Sequence, residues 1–449
     1  MIRRIDSKTR EGRAALEDVR RTLSIEHGMV AAGADLADAE TSVRRILDDV
    51  RDRGDEAVCE WTRTLDGVAL KPEDLRVPES RIREAFESMP PEFVDTVTRI
   101  RESVRRFQRH ILLRNPKALA RQGRCLRLLY RPLARVGVYI PGGKAFYPST
   151  VLMTAVPALE AGVPEVAVAC PPSSDGDVHP AVLATCRISG LAEVYRIGGV
   201  QAVAAFAFGT QTVRPVEKIA GPGNLYVQMA KKLVYGRVDI DSFAGPSEVA
   251  ILADASADAE LVAADMRSQA EHGPGAAILV TPDEALADAV VEELERQVAG
   301  LERARATRED LARYSAIVLV ADLDEGARVV NDLAPEHLQI LTKDPEAVLR
   351  GIRNAGAIFL GRHTPVAVGD YVAGPSHTLP TGGTARWASG LTANAFLRSI
   401  SVIEYDAKAL AADAPDIERL AEVEGLSAHS QSVRKRLERN GEVRNPNDE

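Results

Sequence analysis

From Arg135 onward, short β-branched runs alternate with helical segments, and this alternation limits most strongly what the chain can fold into. The first series reads VGVYI, PSTVLMTAVPALEAG, EVAVAC, PAVLATCRISG, EVYRIGG and QAVAAFAFG. A second series begins near Val249 with VAILAD and continues through AAILVT, AIVLV, HLQIL and AIFLG, with helical segments between them. Strands that alternate with helices in this way indicate βαβ units around a parallel sheet. The pattern therefore predicts two α/β modules.

The segments around these modules follow other patterns. From Thr41 to about Leu112, apolar residues recur every three or four positions, which indicates helices. Residues 361–390 are rich in Gly, Pro, Thr and His without a sustained period, which is typical of a functional loop. From Thr392 the pattern is again helical, with one strand at SVIEY. The predicted fold class is α/β, with two Rossmann-like parallel-sheet domains, an N-terminal helical segment and a small, mainly helical C-terminal tail.

The length of 449 residues exceeds what one hydrophobic core usually organises, so several domains are expected. We expect an N-terminal helical segment over residues 1–30, a discontinuous first α/β domain over 31–138 and 247–391, a second Rossmann-like domain over 139–246, and a C-terminal tail domain over 392–449. The two sheets are thus expected in different domains.

Charge and hydropathy argue against several classes of protein. The formal net charge of −9 does not suit a nucleic-acid partner, because such binders gain affinity from clustered Lys and Arg. The most apolar stretch, from Val151 to Cys170, is interrupted by Pro157, Glu160 and Pro164, so no membrane segment is predicted. The four cysteines are scattered without C-x-x-C spacing, which indicates reduced thiols. We expect a cytoplasmic protein.

Two strings carry residues suited to metal binding or acid–base chemistry. In SQAEHGPG, Gln269 and His272 lie three apart at a predicted helix end and share one face. A histidine at such a place is more often a partner of the helix dipole than a ligand. In NDLAPEHLQI, Glu336 and His337 put a carboxylate beside an imidazole at the start of a predicted strand. That pair could be a surface ion pair, or a general acid and base near neutral pH.

Two further strings hold other candidate histidines. Asp370 precedes His377 in VGDYVAGPSHTLPTGG, and Glu424 precedes His429 in EGLSAHS. Gln, His and Asp side chains together form a plausible ligand set for Zn²⁺, which accepts nitrogen and oxygen donors. These ligands come from distant positions, so spacing alone does not establish a metal site.

The usual dinucleotide fingerprint G-x-G-x-x-G is not found after the first strand, where the sequence reads VYIPGGKAFYPST. Three other loops are candidates: GGVQAVAAFAFGT with Gln201, IAGPGNLYV with Asn224, and FAGPSEVAIL with Ser247. Helix starts and Gly-rich turns present free N–H groups that suit phosphates, but many such turns are purely structural. A dinucleotide is therefore held differently here, or is not bound.

The order and spacing of these strings resembles the histidinol dehydrogenase family over nearly the whole chain. The matching strings are YIPGGKAFYPSTVLM, GGVQAVAA, GPGN, AGPSE, SQAEHGPG, APEHL, VGDYVAGPSHTLPTGG and EGLSAHS. Such a set is far more specific than any one motif. The segment between GPGN and GPSE looks short, and SGLTANAFLRSISVIEYD is only loosely similar to the family.

The resemblance implies a role for each matching residue. The implied zinc ligands are Gln269, His272, Asp370 and His429, and the implied catalytic pair is Glu336 and His337. The implied substrate contacts are Ser247, His377 and Glu424, together with the four zinc ligands and His337. The implied NAD contacts are Tyr139, Gln201 and Asn224.

The resemblance also implies a reaction and an assembly. The reaction is a zinc-dependent, four-electron oxidation of L-histidinol through L-histidinaldehyde to L-histidine with two NAD⁺, which forms the last steps of histidine biosynthesis. Each subunit would hold one Zn²⁺. A homodimer with shared active sites is implied, in which the C-terminal tail crosses to the partner so that Glu424 and His429 complete the neighbouring site.

Three other functions are compatible with parts of the sequence. A paralogous zinc and NAD dehydrogenase could act on another small polyol or a sulfonated diol, although Ser247, His377 and Glu424 match the histidinol pattern. A binding or regulatory protein would need neither Glu336 nor His337. A zinc hydrolase would use Glu336 and a metal-bound water but would leave the loops of Gln201 and Asn224 unexplained.

Overall fold

The computed structural model describes residues 2–24, 36–142, 146–243, 247–270, 275–301 and 304–439. The chain divides into two compact units. The first contains Met1–Leu112 and Leu133–Phe396, and the second contains Leu113–Pro132 and Leu397–Glu449.

Strands and helices alternate through most of the first unit. The ranges that follow cover both units. The strands are β1 (Arg3–Asp6), β2 (Leu119–Arg121), β3 (Arg124–Pro132), β4 (Arg135–Tyr139), β5 (Glu165–Cys170), β6 (Val194–Arg196), β7 (Lys218–Ala220), β8 (Asp239–Ile240), β9 (Ser247–Ala253), β10 (Gly275–Thr281), β11 (Ala316–Leu319), β12 (His337–Leu341), β13 (Ala357–Leu360) and β14 (Leu397–Tyr405). The helices are α1 (Arg10–Leu23), α2 (Leu36–Arg53), α3 (Asp55–Asp66), α4 (Glu79–Glu87), α5 (Pro91–Ile111), α6 (Pro148–Glu160), α7 (Pro180–Ile188), α8 (Gly199–Phe208), α9 (Leu225–Val234), α10 (Ala259–Ala270), α11 (Glu284–Val298), α12 (Ala304–Tyr314), α13 (Leu323–Leu333), α14 (Pro345–Leu349), α15 (Val366–Tyr371), α16 (Ala407–Val423) and α17 (Ser427–Arg439).

A six-stranded parallel sheet has the order β1-β11-β10-β9-β12-β13. Its central strands β9 and β10 are buried almost throughout, which explains their continuous apolar runs. Met266 and Leu294, from α10 and α11, pack on one face, and Val19 and Val330, from α1 and α13, pack on the other. Helices therefore cover both faces.

A five-stranded parallel sheet has the order β6-β5-β4-β7-β8. Counted from β4, or from β9 in the larger sheet, the strands lie in the same spatial order: third, second, first, fourth, fifth. This is the doubly wound order, in which the chain reverses direction across the sheet beside the first strand. The predicted α/β class with two Rossmann-like parallel sheets is confirmed.

Three local assignments from the sequence need correction. Residues 3–6, predicted within a helical segment, form β1 because they extend the larger sheet beside β11. Helices α2 and α3, predicted with the larger sheet, bury Val43 and Ala57 in the core of the five-stranded sheet. Strand β4 spans the predicted boundary between residues 138 and 139. Both sheets lie in one compact unit, and their division into separate domains stays a prediction.

The second unit contains an antiparallel sheet and two helices. Its strand order is β14-β3-β2, and α16 and α17 bury Ala414, Val433 and Leu437 between them. The mainly helical C-terminal region is confirmed. The β2–β3 hairpin, which belongs to this unit, was not predicted from the sequence. In the described part of the chain, no helix is long and apolar enough to cross a membrane.

Candidate active site

Ser247 and Glu336 lie side by side at the amino ends of two neighbouring strands. Ser247 opens β9, and Glu336 directly precedes β12, which pairs with β9 in parallel. The Ser247 hydroxyl donates to Oε2 of Glu336 at 2.6 Å, and the backbone N–H of Glu248 donates to the same oxygen at 3.2 Å. Glu336 is buried, with 7% exposure. The Glu336 carboxylate is thus held by a hydroxyl and a backbone donor from β9.

His337 is held so that its ring orientation is defined. Its Nδ1 lies 3.2 Å from the backbone oxygen of Glu248. Because a carbonyl only accepts, Nδ1 must carry the proton in this bond, and Nε2 of the neutral ring keeps its lone pair. Burial lowers the pKa of His337, and the nearby Asp370 opposes that shift. The imidazole is therefore suited to accept a proton at Nε2.

Nε2 of His337 faces Asp370, whose Oδ1 lies 3.9 Å away, and Nδ1 of the ring lies 3.5 Å from Oε2 of Glu336. Asp370 lies in α15, and burial raises its pKa. The backbone oxygen of Asp370 accepts from Nδ1 of His377 at 3.1 Å. Nε2 of His377 lies 3.4 Å from the Thr150 hydroxyl. The loop that was predicted to be functional thus brings both Asp370 and His377 to the site.

Gln269 reaches the same place from the end of α10. Its side chain is buried, and Nε2 donates to the Ser247 hydroxyl at 2.6 Å. We call Ser247, Glu248, Gln269, Glu336, His337 and Asp370 the strand-start cluster. The structure brings together six residues that were singled out from distant parts of the sequence: Ser247, Gln269, Glu336, His337, Asp370 and His377.

The metal ligands implied by the resemblance are only partly described. Among the described residues, no group of three or more His, Cys, Asp and Glu side chains is arranged to hold a metal ion. His272 belongs to residues 271–274, outside the described part of the chain, and Gln269 would bind through an amide oxygen. The amide of Gln269 and the carboxylate of Asp370 are donors that zinc accepts. Zinc binding stays a prediction.

Glu424 and His429 belong to the second unit. Glu424 follows the last turn of α16, and His429 lies in the first turn of α17. Both side chains are exposed. Their assignment to the zinc and substrate site stays a prediction.

Tyr139, Gln201 and Asn224 lie at the carboxyl edge of the five-stranded sheet. Tyr139 ends β4, and its hydroxyl accepts from the backbone N–H of Gly199 at 3.2 Å. Asn224 follows β7 and caps α9 by accepting from the N–H of Val227 at 3.1 Å. The β4 and β7 ends flank the point where strand order reverses, the usual position of a ligand crevice in such sheets.

Gln201 is fully buried in α8 and is held by a carboxylate that sequence reasoning missed. Its Nε2 donates to Asp66 at 3.1 Å, while its Oε1 has no hydrogen-bond partner among the described residues. Burial raises the pKa of Asp66 to about 6. Asp66 ends α3, far away in sequence, and no pattern marked it. We call Tyr139, Gln201, Asn224 and Asp66 the strand-end cluster.

A buried ion pair fixes the loop before Asn224. The Lys231 and Asp241 side chains pair with only 1% exposure each. Nζ of Lys231 donates to the backbone oxygen of Gly221 at 2.9 Å, and Asp241 accepts from the N–H of Gly221 at 2.7 Å. Both polar groups of Gly221 are thus held, which sets the course of the GPGN loop.

The two parallel sheets and the buried carboxylate–imidazole pair define an α/β enzyme equipped for acid–base chemistry. The family model described as histidinol dehydrogenase matches residues 31–437, so the chain belongs to the histidinol dehydrogenase family and is an oxidoreductase.

Individual relatives agree with this assignment. The chain is 52% identical over 396 residues to "Histidinol dehydrogenase" of Rhodopirellula baltica, covering 88% of this chain and 86% of that protein. It is 48% identical over 398 residues to "Histidinol dehydrogenase" of a Synechococcus strain, covering 88% and 92%. A crystal structure of histidinol dehydrogenase from Elizabethkingia anophelis superposes with a TM-score of 0.86 at 34% identity, covering 91% of this chain and 93% of that one.

Proposed function

We propose that this protein oxidises L-histidinol through L-histidinaldehyde to L-histidine, with two NAD⁺ and one Zn²⁺ per subunit, as the last steps of histidine biosynthesis in the cytoplasm. The observation that carries the proposal is the buried pairing of Glu336 with His337 beside Ser247, Gln269 and Asp370, in a chain of the histidinol dehydrogenase family. The relatives above carry the histidinol dehydrogenase name, so the polyol alternative is not favoured.

His337 is the proposed base of both oxidation steps. Its Nε2 lone pair would accept the alcohol proton in the first step, while Nδ1 stays bonded to the backbone oxygen of Glu248. NAD⁺, when bound, would accept the hydride released from carbon in each step. The lowered pKa of His337 keeps the ring neutral and ready to accept at neutral pH.

Glu336 is the proposed base for water between the two oxidations. Its carboxylate would take a proton from the water that adds to the aldehyde while protonated His337 returns the alcohol proton to the aldehyde oxygen, which gives the neutral hydrate and restores the Nε2 lone pair. His337 would then take a hydroxyl proton of the hydrate as the second hydride leaves. The donors from Ser247 and Glu248 hold Glu336 in place for this step.

The proposed zinc ligands are Gln269, His272, Asp370 and His429. Zinc, when bound, would supply a positive charge that orients the imidazole and the amine of the substrate. Ser247, His377 and Glu424 would anchor the remaining polar groups and keep the aldehyde bound between steps. We propose that Glu424 and His429 act in a homodimer with shared active sites.

The proposed NAD contacts are Tyr139, Gln201 and Asn224. Their support is the position of β4 and β7 at the reversal of strand order, together with the buried Oε1 of Gln201. An acceptor without a partner in a buried place suits a hydroxyl or amide donor of a ligand.

The test is a titration of limiting L-histidinol with excess NAD⁺, followed to completion by NADH absorbance. We expect about two NADH per histidinol, lost after chelation and restored by Zn²⁺. Asp370→Ala should also lose bound zinc, measured by mass spectrometry, whereas the exposed Asp95→Ala should retain it. Absence of NADH from folded, zinc-loaded protein would refute the assignment and direct the search to other small alcohols.

A further inference from the structure

Glu248 is a buried carboxyl group that joins three segments of the chain at the strand-start cluster. It follows Ser247 in β9 and is only 2% exposed. Its Oε1 accepts from the backbone N–H of Glu336 at 3.2 Å and from that of Gly382 at 2.9 Å. One oxygen therefore ties β9 to the segment that enters β12 and to the PTGG loop.

The backbone of the same residue holds both members of the acid–base pair. The N–H of Glu248 donates to Oε2 of Glu336, and its carbonyl accepts from Nδ1 of His337. The Glu336 carboxylate and the His337 ring are thus fixed by one peptide segment, whose position depends on where the side chain of Glu248 is anchored.

We propose that Glu248 is a positioning residue that sets the geometry of Glu336 and His337 through its two side-chain hydrogen bonds to backbone N–H groups. This inference rests on the proposed function, because it takes Glu336 and His337 as the catalytic pair.

The N–H groups of Glu336 and Gly382 require an acceptor at the distance that a glutamate side chain reaches. They do not require that this acceptor carry a negative charge. An apolar side chain would leave the buried N–H of Glu336 and the part-buried N–H of Gly382 without this acceptor, and an unsatisfied buried polar group is destabilising. The second oxygen, Oε2, is buried and has no hydrogen-bond partner among the described residues. Burial and the nearby charge of Glu336 raise the pKa of Glu248 well above its usual range. A neutral Glu248 leaves Glu336 as the charged carboxylate, since close carboxylates do not both ionise readily.

Two substitutions separate length from acidity. Glu248→Gln keeps the length and an acceptor oxygen but cannot ionise, and Glu248→Asp keeps the acid but withdraws it by one methylene. We expect Glu248→Gln to retain kcat within about threefold, with an unchanged pH profile. Glu248→Asp should lower kcat about 10- to 100-fold, because small displacements of reacting groups are costly. The KM for NAD⁺ should change little in either variant.

Gln339→Leu is the control for a general effect of removing a buried polar group. Gln339 lies in the same strand as His337, is 1% exposed and donates to Asp265 at 2.7 Å. We expect Gln339→Leu to lower the thermal midpoint of unfolding while kcat stays close to the wild-type value.

A second measurement does not depend on turnover. The ¹⁵N shifts of labelled histidines, with His337 assigned by its loss in His337→Asn, report which ring nitrogen carries the proton. We expect the Nδ1–H form in wild type and Glu248→Gln, and a mixture in Glu248→Asp.

Each outcome of these measurements either supports or overturns the proposal. Loss of kcat in Glu248→Gln with retention in Glu248→Asp would overturn the proposal and make Glu248 a proton-transferring group. Wild-type kcat in both variants, or equal loss in both, would also overturn it. Wild-type protein without histidinol oxidation, but with the expected ¹⁵N pattern across the variants, would refute the proposed function and leave the positioning role intact.

Discussion

The two sheets share one strand order, yet their polar clusters lie at opposite ends of the strands. In the strand-end cluster, Tyr139 and Asn224 lie at the carboxyl ends of β4 and β7, where doubly wound sheets usually bind ligands. The strand-start cluster lies at the amino ends of β9 and β12. Ser247, Gln269 and Glu336 contact one another through side chains, whereas Tyr139 and Asn224 bond to nearby backbone N–H groups.

This difference shows that the strand order of a sheet does not by itself predict at which end of the strands the candidate functional residues lie. The reversal point of the five-stranded sheet leads to the proposed cofactor contacts. In the larger sheet, a serine and two glutamates at strand starts belong to the candidate active site, and their side chains and backbone groups form hydrogen bonds with one another. If this division of roles is correct, substitutions that remove an acid–base group or displace it in the strand-start cluster should change turnover, and those in the strand-end cluster should change cofactor binding or stability.

The strongest test of this division of roles is to remove the proposed base, His337. His337→Asn should lower kcat by roughly 10²- to 10⁴-fold, the usual contribution of general base catalysis, with little change in the KM for NAD⁺. Steady-state NADH formation measures both. His363→Asn is the matched control, because His363 is an exposed histidine of the same unit. A tenfold rise in KM for NAD⁺ with unchanged kcat would contradict the division.

The next largest effect should come from the buried pair behind the GPGN loop. Lys231→Met leaves Asp241 buried without its cation, which should lower the free energy of unfolding by about 3–5 kcal/mol. Urea denaturation followed by circular dichroism measures this loss. The neighbouring Lys232 is exposed, so Lys232→Met should change stability by no more than about 0.5 kcal/mol. Equal midpoints for the two variants would show that the pair does not stabilise this region.

Two glycines in the left-handed region distinguish backbone strain from a local clash. Gly199 has φ +58°, and an added Cβ would lie 2.7 Å from Oε1 of Gln201. Gly190 has φ +78°, with nothing within 4 Å of an added Cβ. Both Gly→Ala variants should lose about 1–2 kcal/mol of stability from strain.

Only Gly199→Ala should also raise the KM for NAD⁺, by roughly tenfold if about 1.4 kcal/mol of binding is lost. Denaturation and NAD⁺ titration of both variants test this pair of expectations. An equal KM in Gly190→Ala and Gly199→Ala would remove Gln201 from the cofactor contacts.

The smallest effect concerns Asp66 and depends on pH. Its pKa is raised to about 6, so the folded protein binds this proton more tightly than the unfolded chain does. Wild type therefore loses stability as pH rises from about 4 through 6. Asp66→Asn should be more stable by roughly 1 kcal/mol at pH 8, after allowance for solvent screening, with the gain fading between pH 6 and pH 4.

Thermal unfolding across this pH range tests the Asp66 expectation. The exposed Asp95→Asn is the control and should show no such trend. A gain that is constant with pH would mean that burial of the charge is not its cause.

The sequence predicted the parts of the fold that have strong periodic patterns. The buried runs VAILAD and AAILVT identified β9 and β10, and the same alternation predicted the parallel sheets. Strand β1 escaped prediction because RRID has no apolar run and becomes a strand only by pairing with β11. The packing of α2 depends on which sheet its apolar side meets, and helical periodicity does not contain that information.

The site shows the same limit. Distinctive strings identified Glu336, His337 and Asp370 because their residue types suggest chemistry. Glu248 had one available signal, an acid at the start of an otherwise apolar strand, and its partners emerge only from the pairing of β9 with β12. Asp66 had no sequence signal of this kind, because its contact with Gln201 spans 135 positions.

Strand β1 has a practical consequence. The family match begins at residue 31, so a chain shortened to the matched segment would lose β1 together with α1. The apolar strand β11 would then replace the charged strand β1 as the outer strand of the larger sheet, and the apolar surface now covered by Val19 would meet water. Such edges promote aggregation between molecules. The first residues of this protein are thus expected to cover an aggregation-prone edge, although they lie outside the segment by which the family is recognised.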